Sequence, residues 1–444
     1  LTPTAYNNGE ALCIKPDDAS GDFQFSRNSA ATRVNAQGLV ENVQILSSNL
    51  VQNGDFSEEG SEEVSNGSFS QEGVQLVTNG DFATDTAWAK NPNWTISGGT
   101  ANCDGTSDGS FFQGSVIQDN KQYLVTYTLS NLTQGGLRIQ LSGTQGVLRT
   151  LNGTYTEYIT SGSNPSGRVS FECSSSPIGS IDNCSVREVG QDWEFTSGAT
   201  IGDDKAIITG DGSVAGLIQQ TSVFASGKTY KITLDAVINS GGGLNVKYGI
   251  GFADNIGSML TTGSYTFYYT ASATKSLVIA RKTGGVAYNS SVTNISVKEV
   301  GQNWDITGTG WSIGEDKAIF DDTTTNRISQ TGLSITSGKK YKIGFTIADC
   351  PTTAHMTIYD AGGSDLILPN ENYVNGDYTR YYTATTNETG VSFWGNTAGD
   401  TFTITNISVI EITTDTNLPR ISYENFSYQD ALGSELVTNG DFAT

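Results

Sequence analysis

The chain has 444 residues, with 46 acidic and 24 basic side chains, a net charge of −22 and a single histidine, His355. No Lys/Arg cluster occurs, which excludes a nucleic-acid partner and disfavours adhesion to anionic lipid. One histidine argues against His-dependent triads and His-rich metal centres, and no apolar run nears the ~20 residues needed to cross a bilayer as a helix.

Charged residues are only 16% and glycines number 52. Polar surface must therefore come from Ser, Thr, Asn, Gln and Gly, as in strands with one polar face and frequent turns. Residues 1–50 open the chain as an N-terminal module. An acidic, turn-rich linker is expected over 51–75. Within and beside it, Asn53-Gly54-Asp55-Phe56, Asn66-Gly67-Ser68-Phe69 and Asn79-Gly80-Asp81-Phe82 lie 13 residues apart. Asn-Gly is a turn dipeptide that tolerates positive φ, and the Phe after it can pin the turn to a sandwich edge.

Three modules follow, over 76–190, 191–301 and 302–413. Asn183-Cys184-Ser185-Val186-Arg187-Glu188-Val189 recurs as Asn294-Ile295-Ser296-Val297-Lys298-Glu299-Val300, and Asn406-Ile407-Ser408-Val409-Ile410-Glu411 closes a third copy. Alternating runs begin at Tyr123, Tyr230 and Tyr341, and a second recurring strand holds Tyr155, Tyr265 and Tyr378. Period-two alternation of aromatic and β-branched residues predicts half-buried strands. Modules of roughly 110 residues with turn signals every 8–12 residues predict antiparallel β-sandwiches. The fold class is thus all-β, with three tandem sandwiches and a small β-rich module formed by the two ends. Residues 414–444 return to that end module. Leu436–Thr444 repeats Leu76–Thr84, as though a further module were to begin there.

Of the five cysteines, Cys184 aligns with Ile295 and Ile407, and Cys103 with Ile208 and Phe320. Both read as small buried hydrophobes, and an odd count makes a disulfide framework unexpected. Cys173 and Cys350 have no such explanation.

The order of Asn79-Gly80-Asp81-Phe82, Trp88, Trp94, Asp104-Gly105, Lys121-Gln122-Tyr123 and Ile181-Asp182-Asn183 resembles jelly-roll carbohydrate-binding modules of the family-4/9 type. Modules two and three lack the opening motif and carry Thr293 and Thr405 in place of Asp182. Asp22–Glu41 and Asn417-Leu418-Pro419-Arg420-Ile421-Ser422-Tyr423 resemble segments of bacteriophage tail and fibre proteins, usually close together but here nearly 400 residues apart. The sandwiches would then be inserted into one small virion module, with 1–50 packed on 415–433. That resemblance implies a virion-surface, extracellular protein whose partners are other virion proteins and surface glycans. Such fibres are often homotrimers.

Sugar binding needs an aromatic platform beside groups that bond hydroxyls. Trp88, Trp193 and Trp304 recur in all three modules and read as core. Trp94 and Trp311 recur in two, so scaffold competes with a ligand role. Trp394 does not recur and is the stronger platform candidate; of Phe111-Phe112, also unmatched, one is expected in the core. One strand position varies as Glu157, Phe267 and Arg380, predicting a solvent or partner face and adding Arg380 to the candidates. The resemblance would place a structural Ca²⁺ at Asp81 and Asp182. No nucleophile elbow, phosphate loop or HExxH is present, and the carboxylates fall mainly in turns, so no enzyme is expected. The function expected is a tail fibre or particle-decorating fibre that attaches weakly and multivalently to glycans. The alternatives are a secreted adhesin, the binding part of a polysaccharide-degrading enzyme, or a spacer that binds no sugar.

Overall fold

The structure, a computed structural model, describes residues 31–34, 40–43, 46–163, 167–196, 198–250, 255–308, 310–321, 326–397 and 399–412. The proposed packing of 1–50 on 415–433 lies outside them, apart from an antiparallel hairpin of Ala31–Val34 and Val40–Val43. No helix occurs among the described residues. They form two compact bodies. One draws on residues up to Gly54, on Asn303–Gly310 and on the chain from Phe320; the other on Asp55–Gln302 and Trp311–Ile319.

The second body holds two sandwiches. In the first, Gln122–Leu141 and Val169–Val189 run antiparallel through both layers, with register shifts between Ser130 and Gly136 where they bend. Tyr123, Val125, Tyr127 and Leu129 all point into the core, as their alternation requires. In the second sandwich the layers are separate. Leu217–Phe224, Lys275–Arg281 and Leu244–Tyr248 build one sheet; Lys205–Gly210, Tyr288–Val300, Thr229–Ser240 and Gly263–Thr270 build the other. Leu124 and Tyr158 of the first sandwich pack against the core of the second. The other body repeats the plan. Asp305–Thr307, Asn326–Ile335, Glu388–Gly395, Ala354–Asp360 and Leu366–Tyr373 face a sheet containing Phe402–Ile412, Lys340–Ala348 and Gly376–Thr383.

The stretch expected as linker, 51–75, is part of the sandwiches, and so is the end of the expected 1–50 module. Leu46–Asn49 pairs with Phe402–Ile412 of the third sandwich. Glu59–Glu62 pairs with Tyr288–Val300 of the second, and Glu72–Gln75 with Val169–Val189 of the first. The three 13-residue repeats are thus edge strands, distributed in the reverse of their chain order. Modules two and three do not lack an opening motif; theirs lies ahead of module one. The acidic run has a local reason too. Glu59 lies 2.7 Å from Lys231 and 2.9 Å from Lys298, and both ammonium groups hold its carboxyl below the usual range.

Each segment is seated by the same contacts. A side-chain oxygen of Asn49, Glu62 or Gln75 accepts the amide of Val409, Val297 or Val186, at 2.9, 2.7 and 2.8 Å. The backbone N–H of Gln52, Ser65 or Thr78 donates to the Oε1 of Gln330, Gln220 or Gln113. The Nε2 of the same glutamine donates back to that residue's carbonyl. The glycine carbonyls of Gly54, Gly67 and Gly80 accept the amides of Ile407, Ile295 and Cys184 at 2.9, 3.0 and 2.8 Å. Those amides follow Asn406, Asn294 and Asn183, at φ of 54°, 52° and 52°. Asn tolerates this left-handed bulge, which turns the next N–H outward. Trp304, Trp193 and Trp88 donate their indole N–H to segment carbonyls, and Phe56, Phe69 and Phe82 are buried.

Among the described residues Cys103, Cys173, Cys184 and Cys350 are free. Cys184 and Cys103 are buried as expected, and burial pushes the Cys184 thiol up to about 12. Cys173, which the repeats left unexplained, lies beside Cys103; that neighbouring thiol is the main cause lowering the Cys103 pKa.

Candidate functional site

The five-stranded sheet of the third sandwich turns Ile328, Phe393 and Ile358 into the core; on its other face Ser329, Thr357 and Ser392 are also buried, and Arg327, His355, Tyr359 and Trp394 are partly exposed. Arg327 and Thr357 flank Trp394 across the strands in register. Trp394 is half-buried, and its indole N–H donates to Ser392 Oγ at 2.8 Å. That hydroxyl donates in turn to the Asp360 carbonyl at 2.7 Å. The Arg327 guanidinium lies 5.3 Å from the Trp394 ring centroid, and Tyr359 meets it edge-on at 5.4 Å.

A tight loop closes one side of this aromatic pair. The Asp360 carboxylate accepts the amides of Gly362, Ser364 and Asp365. Arg327 Nη1 bonds the Gly362 carbonyl at 2.7 Å. Gly363, at φ +78°, passes so near that a Cβ there would stand 2.6 Å from Trp394 Cζ2. The Arg327 Nε is buried with no protein partner among the described residues.

Polar groups continue the face. Asp400 Oδ2 accepts the His355 backbone N–H at 2.9 Å and lies 2.8 Å from its Nδ1. Asn396 bridges by its amide to Asn370 Oδ1 at 2.9 Å and to Thr357 Oγ1. An indole, a phenol ring, a guanidinium, an imidazole and two carboxamides share one surface. Such a set offers ring faces to C–H groups, with donors and acceptors to hydroxyls alongside.

The corresponding outward position carries Glu172 in the first sandwich and Ala280 in the second. Glu172 is closed by Arg138 at 3.3 Å, and Ala280 sits between Leu217 and Asn245. The scaffold is shared and the surface is not.

Other expected site residues fall elsewhere. Trp94 and Phe111 are 2% and 0% exposed and stack at 5.0 Å; Trp88 stacks on the other side of Phe111 at 4.7 Å. They form one aromatic column in the first core, with the Trp94 indole satisfied by the Gly109 carbonyl. Trp311, 3% exposed, is likewise buried. None of these three offers a ring face to a ligand. Phe112, the partner of Phe111, is partly exposed beneath the Arg168 guanidinium. Trp94→Ala should therefore lower the stability of the first sandwich by about 3–5 kcal/mol, the usual cost of emptying a buried aromatic site. Chemical denaturation followed by tryptophan fluorescence would measure it.

The variable position expected on a solvent face is three different packing solutions. Glu157 is buried, held by Arg149 at 3.1 Å and by the Tyr127 hydroxyl at 2.9 Å. Phe267 covers Gly257 and stacks on Tyr265 at 6.0 Å. Arg380 is committed to Glu371 through Nε and Nη2 at 3.0 and 2.7 Å and lies over Tyr373 and Tyr378. Its guanidinium is engaged by Glu371, with the side chain still 32% exposed. Burial pushes the neighbouring Tyr373 phenol up to about 12.

Asp81 is exposed and accepts the Ala83 amide; Asp182 accepts the Asn183 amide and side chain. Among the described residues no group of three or more His, Cys, Asp or Glu side chains is placed to hold a metal. In the second sandwich Thr293, which replaces Asp182, donates instead to the carbonyls of Asp204 and Ser68.

Trp394 is legible in the sequence because it does not recur; Arg327, Tyr359, His355 and Asp400 carry no such mark. The alternation of His355, Thr357 and Tyr359 was a usable sign that those three share a face.

No protein-family model matches the chain, and no curated protein matches it. Among solved structures, it is similar to a tandem pair of CBM22 domains from Paenibacillus barcinonensis. The identity is 9%, over 52% of this chain and 99% of that one, with a TM-score of 0.22. A triple jelly-roll protein of an archaeal virus shares 13% identity over 73% of this chain and 89% of its own, at 0.19. A fucolectin from striped bass, Morone saxatilis, shares 8% over 55% and 98%, at 0.17. Likeness at this level assigns no function.

Proposed function

We propose that this chain is a non-enzymatic surface protein of a bacteriophage particle, a tail or decorating fibre. Its third sandwich contacts glycans through the face around Trp394. The observation that carries the glycan assignment is the Arg327–Trp394–Tyr359 cluster, continued by His355, Asn396 and Asn370, at a position occupied by Glu172 and Ala280 in the sister sandwiches. The phage assignment is supported by the resemblance of residues 22–41 and 417–423 to virion segments. Attachment through one such face is weak and gains strength from several copies on one particle.

A spacer role is the second reading. It is favoured by the sister faces, where an Arg138–Glu172 pair and an alanine stand in place of the Trp394 ring.

The test is a glycan array and a whole-cell binding assay with the full chain presented as a multimer, beside Trp394→Ala. The variant is expected to lose about 2 kcal/mol of binding free energy, roughly 30-fold in affinity, measured on protein whose third sandwich is shown folded by its cooperative melt. Saturable binding that ignores the substitution would remove Trp394 from the site. Failure of the wild-type chain to bind any glycan would leave the spacer reading.

A further inference from the structure

The three seats described above recognise a short extended motif mainly through its main chain. They need a side-chain oxygen at the fourth position, a Val two residues later and an Asn-Gly turn, then a Phe two residues after that glycine. A fourth stretch of this chain, residues 432–442, meets each requirement: Glu435, Val437, Asn439-Gly440 and Phe442. Residues 436–442 are identical to 76–82. The remaining four have precedents in seated segments. Leu432 matches Leu46, Gly433 matches Gly60 and Gly73, Ser434 matches Ser48 and Ser61, and Glu435 matches Glu62.

We propose that the seat of the first sandwich is a peptide-binding site, and that residues 432–442 are its second ligand, exchangeable with 72–82. The fit extends to the one exchange that changes chemistry. Gln75 uses its amide to donate to the Cys184 carbonyl at 3.3 Å, which a glutamate cannot do. In the second seat Glu62 instead accepts the Ser296 hydroxyl at 2.5 Å as well as the Val297 amide. Ser185 stands in the first seat where Ser296 stands in the second, each paired to the equivalent residue of its neighbouring strand, Thr126 and Thr233. A glutamate at the fourth position of the first seat would therefore meet the same two partner types, the Ser185 hydroxyl and the Val186 amide. The glycine requirement gives specificity, because a Cβ on Gly80 would meet the Cys184 carbonyl oxygen at 2.0 Å.

Two experiments on the full chain test this. The substitutions Glu72→Leu, Val74→Ser and Gln75→Glu write the sequence of 432–442 into the first seat. The melting of the first sandwich is expected to stay within about 3 °C of wild type, and loss of its transition would overturn the proposal. Separately, the full chain with Gly80→Val and Gly440→Val, which blocks both of its own ligands, is held at a temperature where hydrogen exchange shows 122–141 still protected and is titrated with a fluorescein-labelled synthetic peptide of residues 431–444. Saturable one-to-one binding is expected, with at least a tenfold weaker response from the same peptide carrying Gly440→Val. No binding by either peptide, or equal binding by both, would overturn it.

Discussion

Replacing Gly67 by Ala is expected to unseat residues 59–69 and destabilise the second sandwich by about 3–5 kcal/mol, while the first sandwich melts nearly as before. The ideal Cβ would lie 1.9 Å from the Ile295 carbonyl oxygen, and that contact is backbone on both sides. No rotamer relieves it. The segment must lift, and with it go the Gly67–Ile295 hydrogen bond, the Gln220 clasp and the burial of Phe69 against Trp193 at 5.2 Å. Loss of a buried phenylalanine alone costs about 3–5 kcal/mol. Hydrogen exchange resolved by peptide would show protection lost over 288–300 and kept over 169–189. Equal loss in both would mean that the segments are not assigned one to each sandwich.

Removing the cation beside Glu157 is the second large effect. Arg149→Met leaves a buried carboxylate with only the Tyr127 hydroxyl and the Val147 amide to solvate it. Breaking a buried pair by one partner costs about 3–5 kcal/mol. The Arg149 side chain is 24% exposed, so water offsets part of this and about 2–4 kcal/mol is expected. Adding Glu157→Gln keeps an acceptor for Tyr127 and removes the charge. The double variant should recover more than half of the loss in urea denaturation. An additive double variant would show that the pair is not coupled.

Much of the fold could be read from the alternation at Tyr123, Tyr230 and Tyr341, because a half-buried strand imposes period two on its own residues. The ownership of the Asn-Gly-x-Phe motifs could not be read. Their partners are backbone groups and the side chains of Gln113, Gln220 and Gln330, the last lying 278 residues from the peptide it clasps. Main-chain recognition leaves little trace in residue type, and closeness along the chain pointed to one sandwich only. The site divides in the same way. Trp394 stood out by failing to recur, whereas Arg327 and Tyr359 join it through strand register. Arg380 reads as a surface group because its partner, Glu371, belongs to the opposite sheet, and alternation along one strand does not show contacts between sheets. Trp94 and Phe111 illustrate the converse: large aromatics in a polar chain attract attention as binding groups, yet these two pack among Trp88, Tyr127 and Phe171 in the first core.

The reversed order of the edge strands has a consequence for synthesis. Residues 46–82 leave the ribosome before most of each sandwich they complete. The last of the three, 72–82, is claimed first, and the earliest, 46–56, is claimed only after Phe402–Ile412 has emerged. At about 5–20 residues per second, that first segment waits about 20–70 s. If each sandwich closes as its last strand emerges, the chain works as a last-in, first-out store. Each sandwich takes the nearest unclaimed strand as it closes, and no closed sandwich has to open for the next.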